Sequence, residues 1–249
     1  MGPQLGRSQG VSGQHHWFEP LAEHMGPAYL RYSFTKGTEQ EVGFLVDTLG
    51  LQRGDRVLDV GCGPGRHAHA LAARGMSVVG VDISERFVQL GRATAPRGAT
   101  FVRGVARHLP VAPGSCDVAM SLCQGGFGLL DADDVLVLDA MARAVRPGGR
   151  VVVSAFSAYF AVRHLESTDD FDAASGVNHE RTEVRNEHGE GMPADLWTSC
   201  FTPRELRLMA ERSGLAVEHL WAGRPGAYAA DPPDLDHPEW LLVGRKAPR

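Results

Sequence analysis

The sequence has 249 residues, of which 43% are hydrophobic and 22% charged, and this composition is typical of one soluble globular domain. Its formal net charge of −5 argues against a nucleic-acid partner, because such proteins usually carry a basic surface. No segment approaches the roughly 18 consecutive apolar residues that a membrane helix needs, and the polar start lacks the apolar region of a signal peptide. The four cysteines form no CxxC pair and the histidines show no zinc spacing, so we expect a cytoplasmic protein with reduced cysteines and no bound metal.

Strands and helices are predicted to alternate along the first part of the chain. Residues 1–37 are expected to be a flexible arm and a lid, and an amphipathic helix is predicted over 38–50. Five Val-rich strands with helices between them follow, at 56–60, 77–82, 100–106, 116–123 and 150–156. Such alternation is typical of the doubly wound α/β class, a parallel sheet with helices on both faces.

The alternation stops after the fifth strand. Residues 157–200 are polar and are interpreted as an insertion on the substrate side, with a hairpin joined across "EHGEGM". The segment "FTPRELRLMAERSGL" predicts a helix that begins with a capping box. Two last strands are predicted at 216–222 and 239–246, so residues 38–249 form one domain.

Three closely spaced glycines, Gly61, Gly63 and Gly65, lie between the first strand and its helix. A glycine loop lets a ligand approach the backbone, and it lies at the carboxyl edge of the sheet, where doubly wound folds bind ligands. Asp59 ends the first strand and Asp82 ends the second. The two oxygens of Asp82 suit the two adjacent hydroxyls of a ribose. The pattern therefore predicts a cofactor that contains a nucleoside.

A nicotinamide- or flavin-dependent oxidoreductase is an alternative interpretation of this pattern. Its fingerprint is GxGxxG, whereas the spacing here is GxGxG, and the acid before the glycines is not part of that fingerprint. A pyrophosphate needs a free helix N-terminus, which a cofactor without phosphates does not. The spacing therefore favours a phosphate-free cofactor.

Several segments resemble the class I S-adenosylmethionine-dependent methyltransferases of the small-molecule type. "VLDVGCGPG" is similar to motif I of that family, "GVD" to its ribose-binding acid, and "RPGGRVVVS" to the start of its fifth strand. The resemblance implies a Rossmann-like, seven-stranded, mostly parallel sheet in which the seventh strand inserts antiparallel to the others. It also implies S-adenosylmethionine as the cofactor and methyl transfer as the reaction.

The resemblance implies cofactor-binding roles for particular residues around the glycine loop. The three glycines would pack against the methionine part of the cofactor, and Asp59 would order the loop and face the cofactor's ammonium. Asp82 would bind the ribose and Ile83 would pack on the adenine. The backbone of Ala106 would contact the adenine amino group, because "GVA" replaces an acid that relatives carry at this position.

The resemblance also implies residues near the reactive methyl. Ser121, Leu122 and Gln124 follow the fourth strand, where relatives place residues beside the sulfonium. Tyr29 and Tyr32 would belong to an aromatic lid over the cofactor. Arg66 is a candidate for binding the cofactor carboxylate.

The methyl acceptor is predicted to be a small molecule, and a role in specialised metabolism is the favoured interpretation. His179 and His188 lie in the predicted insertion, but solvated loop histidines are the simpler explanation and no catalytic base is assigned. The residues do not distinguish oxygen, nitrogen and carbon acceptors. A non-catalytic relative that binds the same cofactor, or an enzyme that uses it for another reaction, are further alternatives.

Overall fold

The computed structural model describes residues 16–123, 125–129 and 133–248. The described part contains seven α-helices around ten strands. The helices are α1 (Phe18–Met25), α2 (Thr38–Leu49), α3 (Arg66–Ala73), α4 (Glu85–Ala93), α5 (Asp134–Ala144), α6 (Ala158–Arg163) and α7 (Pro203–Arg212). The strands are β1 (Arg56–Val60), β2 (Ser77–Asp82), β3 (Ala99–Arg103), β4 (Cys116–Ser121), β5 (Val145–Ser157), β6 (Asp169–Asp172), β7 (Val177–Arg185), β8 (Gly191–Phe201), β9 (Leu215–Gly223) and β10 (Glu239–Lys246).

Seven strands form the central part of the sheet in the order β3-β2-β1-β4-β5-β10-β9. The first five pair in parallel, while β10 is antiparallel to both of its neighbours. The doubly wound class and the antiparallel insertion of the last strand are thus confirmed. The predicted total of seven strands was wrong, because the sheet of the described residues contains ten.

The three additional strands lie in the segment that the sequence predicted as an insertion. Strand β8 pairs with the end of β5 through Phe156 with Cys200 and Ser157 with Phe201. The predicted hairpin of β7 and β8 is present and antiparallel, and β6 pairs with the other edge of β7. Strand β6 was missed because its sequence, "DDFD", is polar and half exposed.

The helices cover the two faces of the central sheet. On one face Leu138 of α5 and Leu206 of α7 pack against β1, β4 and β5. On the other face Leu45 of α2 and Leu71 of α3 pack against the same strands. Neighbouring residues Val57 and Leu58 belong to opposite clusters, as expected when successive side chains of a strand point to opposite faces.

A third apolar cluster joins the N-terminal helix to the additional strands. Leu21 and Met25 of α1 pack on Phe87 of α4, and Val184 of β7 and Ala194 of β8 complete the cluster. Two short 3₁₀ segments, Gly26–Arg31 and Ser33–Thr35, connect α1 to α2. We call residues 16–36 the cover. The first fifteen residues of the predicted arm lie outside the described residues.

The predicted element boundaries were mostly within a few residues of the observed ones. Ser84 caps α4 by accepting a hydrogen bond from the Phe87 amide at 3.2 Å, and Thr202 with Glu205 forms the predicted capping box. Strand β5 begins at Val145, earlier than predicted, so "RPGG" lies inside it next to a register shift against β4. Among the described helices, none combines the length and the apolar character required to cross a membrane.

Candidate functional site

The glycine loop follows β1 at the carboxyl edge of the sheet. Gly61 has a φ of 68° and Gly63 a φ of 54°, and residues with a Cβ rarely adopt such backbone angles. A Cβ on Gly61 would lie 1.8 Å from the carbonyl carbon of Gly125, in the loop after β4. This position therefore requires glycine, because of its backbone angle and because the β4 loop approaches it closely.

The predicted ribose-binding acid, Asp82, is fixed against the glycine loop. One carboxylate oxygen accepts the Gly63 amide at 2.8 Å, and the other accepts the Ser84 amide at 2.8 Å. The side chain is buried, and burial raises its pKa to about 6 although these backbone hydrogen bonds oppose the shift. The acid thus links the loop to the start of α4.

The other predicted acid, Asp59, is also buried at this edge. Burial raises the pKa of Asp59 to about 7, and the nearby Arg66 guanidinium partly opposes that shift. Its Oδ2 atom has no hydrogen-bond partner among the described residues. A buried carboxylate oxygen without a partner is costly, and a positively charged ligand would relieve that cost.

A narrow apolar pocket adjoins Asp82 and the glycine loop. Ile83 and the loop that contains Ala106 line one part, and His16 and Phe18 of the cover line another. The His16 ring is within hydrogen-bond distance of the Leu129 carbonyl, at 3.2 Å. The structure therefore brings the residues predicted to contact the adenosyl group to one pocket, beneath the N-terminal segment.

The two predicted lid tyrosines occupy different positions. The Tyr29 ring lies above Gly63, with Cε1 3.5 Å from where a Cβ would be, and it packs on Phe87 with a ring separation of 4.8 Å. The Tyr32 hydroxyl instead accepts a hydrogen bond from the Arg185 amide of β7 at 3.3 Å. Tyr29 thus covers the glycine loop, while Tyr32 fastens the cover to the additional strands.

The residues predicted beside the sulfonium also differ in their roles. The Ser121 hydroxyl accepts a hydrogen bond from the Gly126 amide at 3.1 Å and thereby holds the β4 loop. The Leu122 side chain is buried in the core with α2 and α3, so it offers a ligand only its backbone. Gln124 lies outside the described residues. Phe127 is buried and stacks on Phe201 at 5.0 Å, as a core residue does.

A buried polar cluster beside the glycine loop was missed from the sequence. Its centre is Glu41 of α2, which accepts hydrogen bonds from Arg66 at 2.5 Å and from the Gly226 amide at 2.8 Å, and lies 2.7 Å from the His67 ring. Arg66 also donates to the Cys123 sulfur at 2.7 Å. Burial raises the pKa of Glu41, but His67 and Arg66 together lower it to about 2, so this carboxylate is ionised.

This cluster is relevant to two predictions: that Arg66 binds the cofactor carboxylate, and that the protein binds no metal. Arg66 was a candidate for the cofactor carboxylate, but its guanidinium is already bound by Glu41 and Thr38. Ligand atoms of Glu41, His67 and Cys123 lie within 4.8 Å of one another, a spacing that could hold a metal ion. The guanidinium contacts two of these three groups, so the cation of this cluster is the Arg66 side chain and we assign it no metal.

The two histidines considered as bases belong to the additional strands. The His179 ring lies 2.7 Å from Asp195 and stacks on Trp197 at 4.7 Å. His188 lies in the exposed turn between β7 and β8, where its amide binds the Asn186 side chain. Their described contacts are therefore within the additional strands and not with the glycine loop.

Comparisons with known proteins identify the family of this chain. The sequence family described as a methyltransferase domain matches residues 57–149. An uncharacterized methyltransferase of Mycobacterium sp. (strain JLS) is 32% identical over 189 residues, which are 75% of this chain and 68% of that protein. The chain belongs to the class I S-adenosylmethionine-dependent methyltransferases.

One further relative and one solved structure are also similar to this chain. A demethylmenaquinone methyltransferase of Beutenbergia cavernae is 42% identical over 113 residues, 45% of each chain, so the match spans about half of that relative. The structure of the CcbJ methyltransferase from Streptomyces caelestis has a TM-score of 0.76 and 22% identity, and covers 94% of this chain and 100% of that one. The latter similarity concerns the fold alone.

The residues present fit the family's cofactor, S-adenosylmethionine. Asp82 can bind its ribose, the pocket between Ile83 and Ala106 can hold its adenine, and the glycine loop can pack on its methionine part. The unpartnered oxygen of Asp59 suits its positive charges. Asp82, the pocket between Ile83 and Ala106, and the glycine loop therefore remain candidate contacts for the cofactor. The Leu122 side chain lies in the core, and the Tyr32 hydroxyl and the Arg66 guanidinium bind other residues.

Proposed function

We propose that this protein transfers the methyl group of S-adenosylmethionine to a small-molecule acceptor. The observation that carries the proposal is the pair of buried acids, Asp59 and Asp82, which flank a glycine loop with left-handed backbone angles. A site with this charge favours a cationic, phosphate-free nucleoside over a dinucleotide, whose pyrophosphate the two carboxylates would repel.

The chain contributes mainly orientation and the exclusion of water. When bound, the cofactor supplies an activated methyl group on a sulfonium. Asp82 fixes the glycine loop through Gly63, and Tyr29 with Phe18 covers the loop and the adjoining pocket. Holding two reactants in line can supply about 7–11 kcal/mol of the barrier reduction, which is the expected source of catalysis here.

The proposed acceptor is a small, partly apolar or aromatic molecule, and we extend the proposal to specialised metabolism. Aromatic side chains are concentrated at the cover, where Trp17 contacts both Phe18 and Trp197. The name of one relative gives demethylmenaquinone as its acceptor, which is consistent with a small-molecule substrate. The net charge of −5 disfavours nucleic acid.

Isothermal titration calorimetry with S-adenosylmethionine, S-adenosylhomocysteine and NAD tests the cofactor. We expect the first two to bind and NAD not to bind at the same concentrations. Preference for NAD would overturn the proposal in favour of an oxidoreductase.

Transfer of tritium from labelled cofactor to a panel of amines, phenols and activated carbon acids tests the activity. Incorporation into one class of acceptor supports the enzyme and identifies the reacting atom. Cofactor binding with no incorporation into any class would instead favour a non-catalytic binding protein.

A further inference from the structure

Tyr228 reaches the carboxyl edge of the sheet from the loop between β9 and β10. The side-chain amide of Gln40 in α2 fixes its backbone, accepting from the Tyr228 amide at 2.8 Å and donating to the Tyr228 carbonyl at 2.7 Å. Glu41, the next residue of α2, binds the Gly226 amide of the same loop at 2.8 Å. The loop is therefore held rigidly at two consecutive positions of α2.

The Tyr228 hydroxyl is buried, and no described residue lies at the distance and angle of a regular hydrogen bond with it, although Ser154 and Cys123 are near. Its polar neighbours are Cys123, Ser154, Glu41 and Glu239. The Ser154 hydroxyl already accepts the Cys123 amide at 2.7 Å. A buried hydroxyl without a regular hydrogen bond is unfavourable, and a ligand at this position would remove that cost.

Cys123 is one of the residues next to the Tyr228 hydroxyl. This residue directly follows Leu122 beyond β4, in the segment where the sequence predicts contacts with the sulfonium. Among the described residues other than glycine, Cys123 is the one with a positive φ, 49°, and such strained backbone often occurs at ligand sites. Its sulfur contacts Arg66 at the end of the glycine loop, and Cys123 and Tyr29 are near enough to interact electrostatically.

The glycine loop, the cover and the end of β4 thus all have a residue near Cys123, and Tyr228 is near Cys123 as well. We propose that the Tyr228 hydroxyl faces the reacting methyl group and contacts the nucleophilic atom of the acceptor. This inference rests on the proposed function, since it assigns a contact within that same site. It makes Tyr228 a catalytic residue that the sequence did not indicate.

The chemistry of the hydroxyl limits the acceptor. Burial raises the pKa of Tyr228 well above its usual value, so the group is neutral and cannot act as a base at neutral pH. A neutral phenol accepts a hydrogen bond from an N–H or O–H group while leaving the lone pair of that nitrogen or oxygen free to attack the methyl. The assignment therefore favours a nitrogen or oxygen acceptor over a carbon acceptor.

Sinefungin tests the assignment without knowledge of the acceptor, because it carries an amine where the cofactor has the sulfonium methyl. S-adenosylhomocysteine has no group at that position and serves as the reference ligand. We expect the variant Tyr228→Phe to weaken sinefungin by about tenfold or more, the loss of one hydrogen bond to a charged group, and to leave S-adenosylhomocysteine within about twofold. Tyr159→Phe, a change at a half-exposed tyrosine on α6, is the matched control.

The outcomes separate this inference from the proposed function. If the unmodified protein binds neither ligand, the proposed function fails. If both ligands bind but Tyr228→Phe weakens them equally or not at all, the cofactor assignment stands and the Tyr228 assignment fails.

A crystal structure of the unmodified protein with sinefungin gives a second test that does not depend on the variant folding. We expect the amine of sinefungin within about 3.2 Å of the Tyr228 hydroxyl, the usual range of a hydrogen bond. A separation beyond about 4 Å would overturn the assignment.

Discussion

The carboxylate of Asp82 accepts a hydrogen bond from the Gly63 amide at 2.8 Å, so the end of β2 and the glycine loop after β1 are joined directly. The two residues are 19 positions apart in the chain, and parallel pairing of β1 with β2 brings their carboxyl ends together. A proposed ribose-binding group therefore also determines the conformation of the loop that contacts the rest of the cofactor.

Replacing Asp82 tests its proposed role in cofactor binding. We expect Asp82→Asn to weaken S-adenosylmethionine at least about tenfold, because the amide removes the charge and one of its two acceptor oxygens. Calorimetric titration measures the affinity. Asp117→Asn is the matched control, because Asp117 lies in β4 and binds Arg56 and Arg146 instead of the loop. Equal affinity in the Asp82 variant and in the unmodified protein would remove the ribose assignment.

Cofactor affinity should rise with pH across the neutral range. The pKa of Asp59 is raised to about 7 and that of Asp82 to about 6, so both acids are partly protonated in slightly acidic solution. A cationic ligand favours the ionised carboxylates, and its binding therefore releases protons. We expect S-adenosylmethionine to bind more tightly at pH 8 than at pH 5.5, by about tenfold, as calorimetry in buffers of different ionisation enthalpy would measure. The variant Asp59→Asn should lose much of this dependence.

The same two acids predict the opposite trend for the stability of the free protein. A carboxyl whose pKa is raised on folding binds its proton more tightly in the folded state, so its contribution is complete below the unfolded pKa of about 4. That contribution is lost as the pH rises through the folded values of about 6 and about 7. Urea unfolding should therefore show that Asp59→Asn gains free energy of unfolding, relative to the unmodified protein, as the pH increases from 5 to 8. No change of that difference with pH would contradict the assigned pKa of Asp59.

The local parts of this site could be predicted from the sequence because neighbouring residues determine them. A strand, an acid, three glycines, a helix and a second acid occupy one continuous segment, and their spacing determines their geometry. The contact between Arg66 and Glu41 joins residues 25 positions apart, and the contact between Gln40 and Tyr228 joins residues 188 positions apart. No local sequence pattern indicates either contact. The buried cluster and the position of the Tyr228 loop therefore could not be predicted from the sequence.

The additional strands show a different limit of sequence reasoning. Strands β7 and β8 have mixed burial, and β7 carries charged side chains over much of its length, as in the segment around His179. They pair with each other and with the end of β5, and their few apolar side chains, such as Val184 and Ala194, pack against α1 and α4. A polar pattern of this kind resembles a loop, and for that reason β6 was missed although the hairpin was predicted.

The buried ion pair of Glu41 and Arg66 should be far more important for stability than a surface pair of the same helix. We expect Glu41→Gln to lower the free energy of unfolding by about 3–5 kcal/mol, because it leaves the Arg66 guanidinium buried without its counter-charge. Glu39→Gln is the matched control, since Glu39 is exposed and pairs with Arg74 at 2.8 Å, and it should cost less than about 1 kcal/mol. Chemical denaturation measures both values, and equal effects of the two changes would contradict the described cluster.

Adding a single methyl group at Gly61 should disrupt the site. In Gly61→Ala the new Cβ would lie 1.8 Å from the Gly125 carbonyl carbon, and the φ of 68° is unfavourable for alanine. We expect the variant to lose at least about 1–2 kcal/mol of stability from backbone strain alone and to bind S-adenosylmethionine at least about tenfold more weakly. Gly43→Ala is the matched control, because Gly43 lies inside α2 with no atom within 4 Å of its added Cβ. That change should raise stability by about 0.5–1 kcal/mol through helix propensity and leave the affinity unchanged. If Gly61→Ala retained the affinity and stability of the unmodified protein, the close contact between the glycine loop and the β4 loop would be wrong.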